Sequence, residues 1–148
     1  MEAIVWKGFL CDVYDLFEFL DGKKSWDAVR KKETSFLVDT GASMTVIPEK
    51  LLEGLSFISL GTTMAQGICK EPVKFRRILI GIAIPADGIS ASPHEVLVPI
   101  DKTVEEKLVE SLKEINASAL LGRYSLDAPC LRIDLHTKAP IKVRIHLL

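Results

Sequence analysis

The sequence predicts one all-β domain, mostly strands with one or two short helices. Short apolar runs rich in β-branched residues recur along the chain between Gly, Pro, Asp and Asn, which is typical of strands and turns. Residues 78–84 carry isoleucine at every second position, the period of a strand. The 148 residues, 48% of them hydrophobic, also match the size of one domain, so we expect residues 1–148 to form a single unit.

Charge and composition exclude several classes of protein. Lys and Arg number 19 against 20 Asp and Glu, so no net charge draws the chain to nucleic acid or to an anionic membrane. The three cysteines have no CxxC spacing, and the three histidines have no metal-ligand spacing. Neither a signal peptide nor an apolar run of about 20 residues is present. We expect a cytoplasmic protein without metal or cofactor, and without nucleic acid or membrane as a partner.

Eight strands are predicted in chain order. They are residues 3–6, 35–38, 45–47, 55–60, 73–84, 95–100, 130–135 and 141–147. Residues 9–20 are compatible with either a strand or a helix. Pro48 ends the run before it and permits a short helix through Leu52. Residues 85–93 are predicted to be a loop.

A hairpin and a helix complete the predicted elements. Gly67 is the natural tip of a hairpin that returns through residues 73–84, because glycine adopts tight-turn angles freely. Both faces of the return strand are apolar, which predicts that its second half is buried on both sides. Further along, Thr103 and Glu106 have the spacing of a capping box, and apolar residues follow at helical spacing. An amphipathic helix over residues 103–115 should therefore cover one side of the core.

Two motifs carry the chemistry. Asp39-Thr40-Gly41 lies between the buried run 35–38 and the apolar run 45–47. Well downstream, Leu120-Leu121-Gly122-Arg123 repeats an apolar, apolar, Gly pattern. The tripeptide alone is weak evidence, and an Asp that caps a turn between strands is the alternative interpretation of Asp39.

With these two motifs the sequence resembles the retropepsin-like aspartic proteases, the family of the retroviral proteases and their cellular and archaeal relatives. The resemblance extends from about residue 35 to the end of the chain. It implies a closed β barrel with one lobe per chain, a homodimer, and one catalytic aspartate per subunit. It also implies a flap hairpin that closes over a bound peptide or unfolded protein.

The chemistry of peptide hydrolysis indicates what the Asp39-Thr40-Gly41 motif could do. Without a metal or a covalent nucleophile, one carboxylate must deprotonate water while another group protonates the carbonyl oxygen. Two adjacent carboxylates that share one proton do both, as is known for aspartic proteases. A two-fold axis beside Asp39 would supply the second carboxylate from another chain. Gly41 leaves room at the axis and its N–H can support the charged oxygen, while the Thr40 hydroxyl, in the family, bonds across the axis. The predicted catalytic residues are Asp39, Thr40 and Gly41.

The predicted substrate-binding residues surround that turn or follow from the resemblance. They are Ala42, Ser43, Val46, Gly67, Ile68 and Leu120. Val46, Ile68 and Leu120 resemble the apolar subsite walls of the family, although each could equally be core. Ser43 is a departure, since the retroviral enzymes usually have Asp there, paired with the Arg of the Gly-Arg motif. Arg123 is left to pair with Asp127 or a main-chain carbonyl.

Two functions from different classes fit this sequence. The first is an aspartic endopeptidase, with either one dedicated protein substrate or broad specificity. The second is a catalytically silent, dimeric module of the same fold that binds peptides or proteins. The intact Asp39-Thr40-Gly41 turn favours the enzyme, because a binding module has no need for paired acids at its axis.

Overall fold

A computed structural model describes residues 3–39, 41–65, 71–85, 89–126, 131–133 and 143–145. Strands dominate these residues, so the predicted all-β class is confirmed. The strands are β1 (Val5–Cys11), β2 (Lys31–Val38), β3 (Ile58–Ala65), β4 (Val73–Pro85), β5 (Ile89–Pro99), β6 (Ala119–Leu121), β7 (Leu131–Ile133) and β8 (Val143–Ile145). The helices are α1 (Val13–Leu20), α2 (Lys102–Lys113) and α3 (Arg123–Leu126), with 3-10 turns at Trp26–Ala28 and Glu49–Leu52.

Six of the strands form one curled sheet. The order is β3-β4-β1-β2-β6, and β5 pairs along the other edge of β4. All pairs are antiparallel except β2 with β6, which is parallel. Val46 then bridges both Leu97 of β5 and Leu120 of β6. The pairing therefore runs in a closed ring through β4, β1, β2, β6, Val46 and β5.

The centre of the sheet is β4, and its second half is buried on both faces as predicted. Its four alternating isoleucines, Ile78, Ile80, Ile82 and Ile84, belong to the main hydrophobic cluster and are at most 5% exposed. On the other face, Ala83 is fully buried in a second cluster with Cys11 and Leu16. Helix α1 covers this second face, because its residue Leu16 belongs to the same cluster as Ala83.

The ambiguous N-terminal segment is a strand followed by a helix. The predicted strand 3–6 is displaced, since β1 runs from Val5 to Cys11. Asp12 then ends the strand, because its carboxylate accepts hydrogen bonds from the N–H groups of Tyr14 and Asp15, each at 3.1 Å. A side chain that satisfies these free N–H groups starts α1 at Val13.

Several predicted boundaries are wrong. The loop predicted at 85–93 is shorter, because β5 begins at Ile89 and its residues Ser90 and Ser92 are buried opposite β4. Because these buried positions carry small polar residues, the alternation of apolar and polar residues that predicts a strand is absent from this part of the sequence. The run 45–47 contributes a single bridge residue instead of a strand, and the strand predicted at 55–60 runs over Ile58–Ala65.

The helix predicted at 103–115 is confirmed as α2, with a different cap. Asp101, not Thr103, accepts from the N–H groups of Thr103 (2.7 Å) and Val104 (3.4 Å), so the helix starts at Lys102. Leu108 and Leu112 are buried in a third cluster with Ala117. The short helix after Pro48 is confirmed as the 3-10 turn Glu49–Leu52.

The last two strands form a sheet of their own. β7 pairs antiparallel with β8, with Arg132 opposite Arg144. Gly67 and Ile68, the predicted hairpin tip, lie outside the described residues, although β3 and β4 form the predicted hairpin on either side of them. Among the described helices, none has the length and apolar character needed to cross a membrane.

Candidate active site

Asp39 lies where the two sequence motifs meet. It follows β2 directly, and its N–H donates to the carbonyl oxygen of Leu121 at 3.0 Å. The parallel pairing of β2 with β6 sets Val38 beside Leu121. The tertiary structure thus brings the Asp39 turn against the Leu120-Leu121-Gly122-Arg123 segment.

The turn itself orients the Asp39 carboxylate. The N–H of Gly41 donates to Asp39 Oδ1 at 3.0 Å, and the N–H of Ala42 donates to the Asp39 carbonyl at 3.2 Å. A Cβ at position 41 would lie only 3.2 Å from the same Oδ1, so a side chain there would crowd the carboxylate. Asp39 is half-buried and Gly41 is exposed. Thr40 lies outside the described residues.

Gly122 allows the two motifs to touch through their backbones. A Cβ on Gly122 would lie 2.3 Å from the carbonyl carbon of Met44, a distance that no side chain can adopt. The next residue, Arg123, donates its N–H to the carbonyl of Ala42 at 2.7 Å. A glycine is therefore required here by the close approach of the Asp39 loop.

Two buried hydroxyl groups, those of Thr45 and Ser125, hold the Asp39 loop in place through hydrogen bonds. Thr45 Oγ1 accepts from the N–H of Gly122 at 3.0 Å and donates to Ser125 Oγ at 2.6 Å. Val46 and Leu120 exchange two main-chain hydrogen bonds, at 2.9 and 3.0 Å. Sequence reasoning missed Thr45 and Ser125, although the Ser at position 43 signalled that the usual ion pair had been replaced.

A cavity of about 580 Å³ opens at Asp39. Of the predicted site residues, Asp39, Gly41, Ala42, Ser43, Val46 and Leu120 line it. The lining residues that sequence reasoning missed are Met44, Ala65, Phe75, Leu97, Pro99, Val104 and Leu108. Among the described residues that line this cavity, Asp39 is the only carboxylate, and most of the others are apolar.

The matched segment of the chain contains this turn. Residues 28–99 match the model of a family described as aspartyl protease. This segment is similar to an aspartyl protease. The aspartyl protease match covers β2, the Asp39 turn, the β3–β4 hairpin and β5. A comparison with the curated proteins finds no match to the chain.

In the described part of the chain, the ionisable groups whose pKa values are shifted do not line this cavity. Burial lowers the pKa of His94 to about 4, and its Nε2 is 2.6 Å from Ser92 Oγ. Burial likewise raises the pKa of the Cys11 thiol to about 12. No group of three or more His, Cys, Asp or Glu among the described residues is arranged to hold a metal ion. Asp39 itself lies within residues 28–99, the segment that matches the aspartyl protease family.

Proposed function

We propose that the protein is a retropepsin-like aspartic endopeptidase that works as a homodimer, with Asp39 of each chain at a shared site. One observation supports this most strongly. Asp39 lies within the segment that matches aspartyl proteases, its carboxylate accepts a hydrogen bond from the Gly41 N–H, and it lines a mainly apolar cavity. Cytoplasmic location and independence of a cofactor belong to the same proposal.

The need for a second chain follows from the contents of the cavity. General acid and base catalysis of peptide hydrolysis requires two groups, and only one carboxylate is found among the described lining residues. The turn that carries it is accessible, since Gly41 is exposed. A second copy related by a two-fold axis would place Asp39 of the partner subunit beside it.

The two carboxylates then share one proton, because like charges so close cannot both ionise. The ionised one takes a proton from water as the water oxygen attacks the carbonyl carbon of the scissile bond. The protonated one donates its proton to the carbonyl oxygen, which gives a tetrahedral diol. The carboxyl group that took the proton from water then gives it to the amide nitrogen as the C–N bond breaks, and the other carboxylate takes a proton from a hydroxyl of the diol. This releases the amine and the carboxylic acid and leaves one shared proton on the pair.

The cavity indicates the kind of substrate. Its walls include Leu97 and Pro99 of β5, together with Ala65 and Phe75 of the β3–β4 hairpin. In this proposal the hairpin acts as the flap, which is supported by the position of Ala65 and Phe75 in the cavity wall. An extended peptide or an unfolded protein segment with apolar side chains fits such walls, because these side chains lose contact with water on binding.

The test compares Asp39→Asn with Asp27→Asn. Asp27 is exposed in the 3-10 turn Trp26–Ala28, so its variant controls for the loss of one carboxylate. Purified proteins are incubated with an unfolded protein from acidic to neutral pH, and fragments are mapped by mass spectrometry. We expect cleavage by the wild type and by Asp27→Asn, and a loss of about 1,000-fold or more in Asp39→Asn, because an amide cannot act as the base.

Wild-type rates of cleavage by purified Asp39→Asn would contradict the proposal. Binding of the unfolded protein by all three forms, with cleavage by none, would instead support a peptide-binding module of the same fold.

A further inference from the structure

We propose that helix α2 is a specificity element of the cleft, and that the size of the side chain at Val104 selects the substrate side chain beside the scissile bond. This inference rests on the proposed endopeptidase function. It names a residue that lies outside both sequence motifs and outside residues 28–99 that match aspartyl proteases.

The location of α2 brings it to the site. The helix connects β5 to β6, the two strands that Val46 bridges. Val104 and Leu108, one turn apart on α2, line the same cavity as Asp39. Residues four apart lie on one face of a helix, so this face of α2 forms a continuous apolar wall of the cavity.

Contacts on three sides hold this wall in place. At its start, the Asp101 carboxylate caps the helix through the N–H groups of Thr103 and Val104. The Glu105 carboxylate accepts a hydrogen bond from the N–H of Glu49, which ties α2 to the 3-10 turn Glu49–Leu52. Further along the helix, Leu112 is buried in the third hydrophobic cluster, together with Leu108 and Ala117. Specificity requires such support, because a wall that yields cannot distinguish side chains of different size.

Val104 and Leu108 differ in their contact with solvent. Leu108 is 1% exposed and belongs to the core, so its replacement would change the packing of the helix. Val104 lines the cavity and is only half-buried, so its methyl groups are available to the side chain of a bound substrate. Position 104 is therefore where the cavity can change size without dismantling the core.

The chemistry of the wall defines the ligand class. Val104, Leu108, Phe75 and Leu97 offer no hydrogen-bond partner from their side chains. A charged side chain would lose its water there without compensation, whereas an aliphatic or aromatic one gains by burial. The structure thus points to a peptide with an apolar side chain next to the bond that is cleaved.

The experiment changes the volume at position 104 in both directions. Val104→Ala and Val104→Phe are compared with the wild type and with Val109→Ala, a matched control on the same helix. Val109 is also half-buried but is not among the residues that line the cavity. The substrates are peptide series that differ only in one residue, Ala, Leu, Phe or Trp, on either side of the scissile bond.

We expect Val104→Ala to raise kcat/KM for the Phe and Trp peptides relative to Leu by about tenfold, the usual effect of a small change in pocket volume. Val104→Phe should shift the preference toward Ala by a similar factor, and Val109→Ala should leave the ratios unchanged. A merely structural role would lower all rates together. If Val104→Phe fails to fold, as judged by circular dichroism, Val104→Ala decides.

Three results would overturn the inference, and they differ in whether they also contradict the proposed endopeptidase function. Active Val104 variants with wild-type preferences would contradict the role of Val104 and leave the endopeptidase intact. Equal shifts in Val104→Ala and Val109→Ala would trace the effect to the helix as a whole. A wild-type protein that cleaves no peptide or unfolded protein would contradict the proposed function, and with it this inference.

Discussion

The hydroxyl groups of Thr45 and Ser125 form a hydrogen bond of 2.6 Å between residues 80 positions apart in the chain. Thr45 is fully buried and Ser125 is 7% exposed. Thr45 also accepts the Gly122 N–H, so its hydroxyl both donates and accepts. The retroviral enzymes that the sequence resembles usually use an ion pair from the position of Ser43. Here a buried, uncharged pair fastens the Asp39 loop to α3.

The first prediction concerns this pair. Thr45→Val keeps the shape but leaves the Gly122 N–H and the Ser125 hydroxyl without their partner, so we expect a loss of about 2 kcal/mol in the free energy of unfolding. Ser125→Ala removes one bond and should lose about 1 kcal/mol. Urea denaturation measures both, with Thr45→Ser as the control that retains the hydroxyl. Wild-type stability of Thr45→Val would show that the hydroxyl contributes nothing.

The second prediction concerns stoichiometry at Asp39. A peptide analogue with a tetrahedral hydroxyl in place of the scissile carbonyl should bind once per two chains, because two chains share one cleft in the proposed homodimer. It should bind at least about 100-fold more tightly than the matching substrate, since it mimics the transition state. Calorimetry with wild type and Asp39→Asn provides the measurement. One ligand per chain, or equal affinity for the variant, would contradict the shared site.

The third prediction concerns the buried carboxylate of Asp15. It accepts from Arg30 Nε at 2.9 Å and from Lys24 Nζ at 2.8 Å. The Arg30 guanidinium, helped by Lys24, holds the pKa of Asp15 well below its usual range. Asp15→Asn should therefore lower the free energy of unfolding by about 2 kcal/mol at pH 7.

The pH dependence of this effect has a definite sign. Because the pKa of Asp15 is lower in the folded chain, its contribution is present above about pH 4 and is lost as the pH falls below that value. The gap in unfolding free energy between wild type and Asp15→Asn should narrow below pH 4. Exposed Asp27 serves again as the control, and a gap that stays constant would argue against the ion pairs.

The fourth prediction concerns His94. Burial of its side chain lowers its pKa from 6.5 to about 4. The unfolded chain binds the proton more readily, so the folded chain should lose stability as the pH falls from about 6.5 toward 4. The loss should total about 3 kcal/mol relative to His94→Gln, which carries no charge at any of these pH values. Urea denaturation at half-unit steps checks this, and parallel pH profiles for the two proteins would refute it.

The sequence by itself determined the features that depend on local pattern. The period of two in β4, the helical spacing of Leu108 and Leu112, and the acidic turn at Asp39 are each visible within a few residues. They predict elements because the geometry of strands and helices repeats over such distances. The all-β class follows from them, and Asp39 becomes the candidate catalytic residue through the family resemblance that its turn and the Leu120-Leu121-Gly122-Arg123 motif carry together.

Only the tertiary structure decided which surfaces meet. An amphipathic pattern shows that one face of α2 is buried, but it cannot show that Val104 and Leu108 line the cavity of Asp39. The pairing of Thr45 with Ser125 likewise depends on β6 lying parallel to β2. Both outcomes arise because the closure of the whole sheet fixes the contacts between distant residues. A local sequence pattern does not specify which distant residue packs against it.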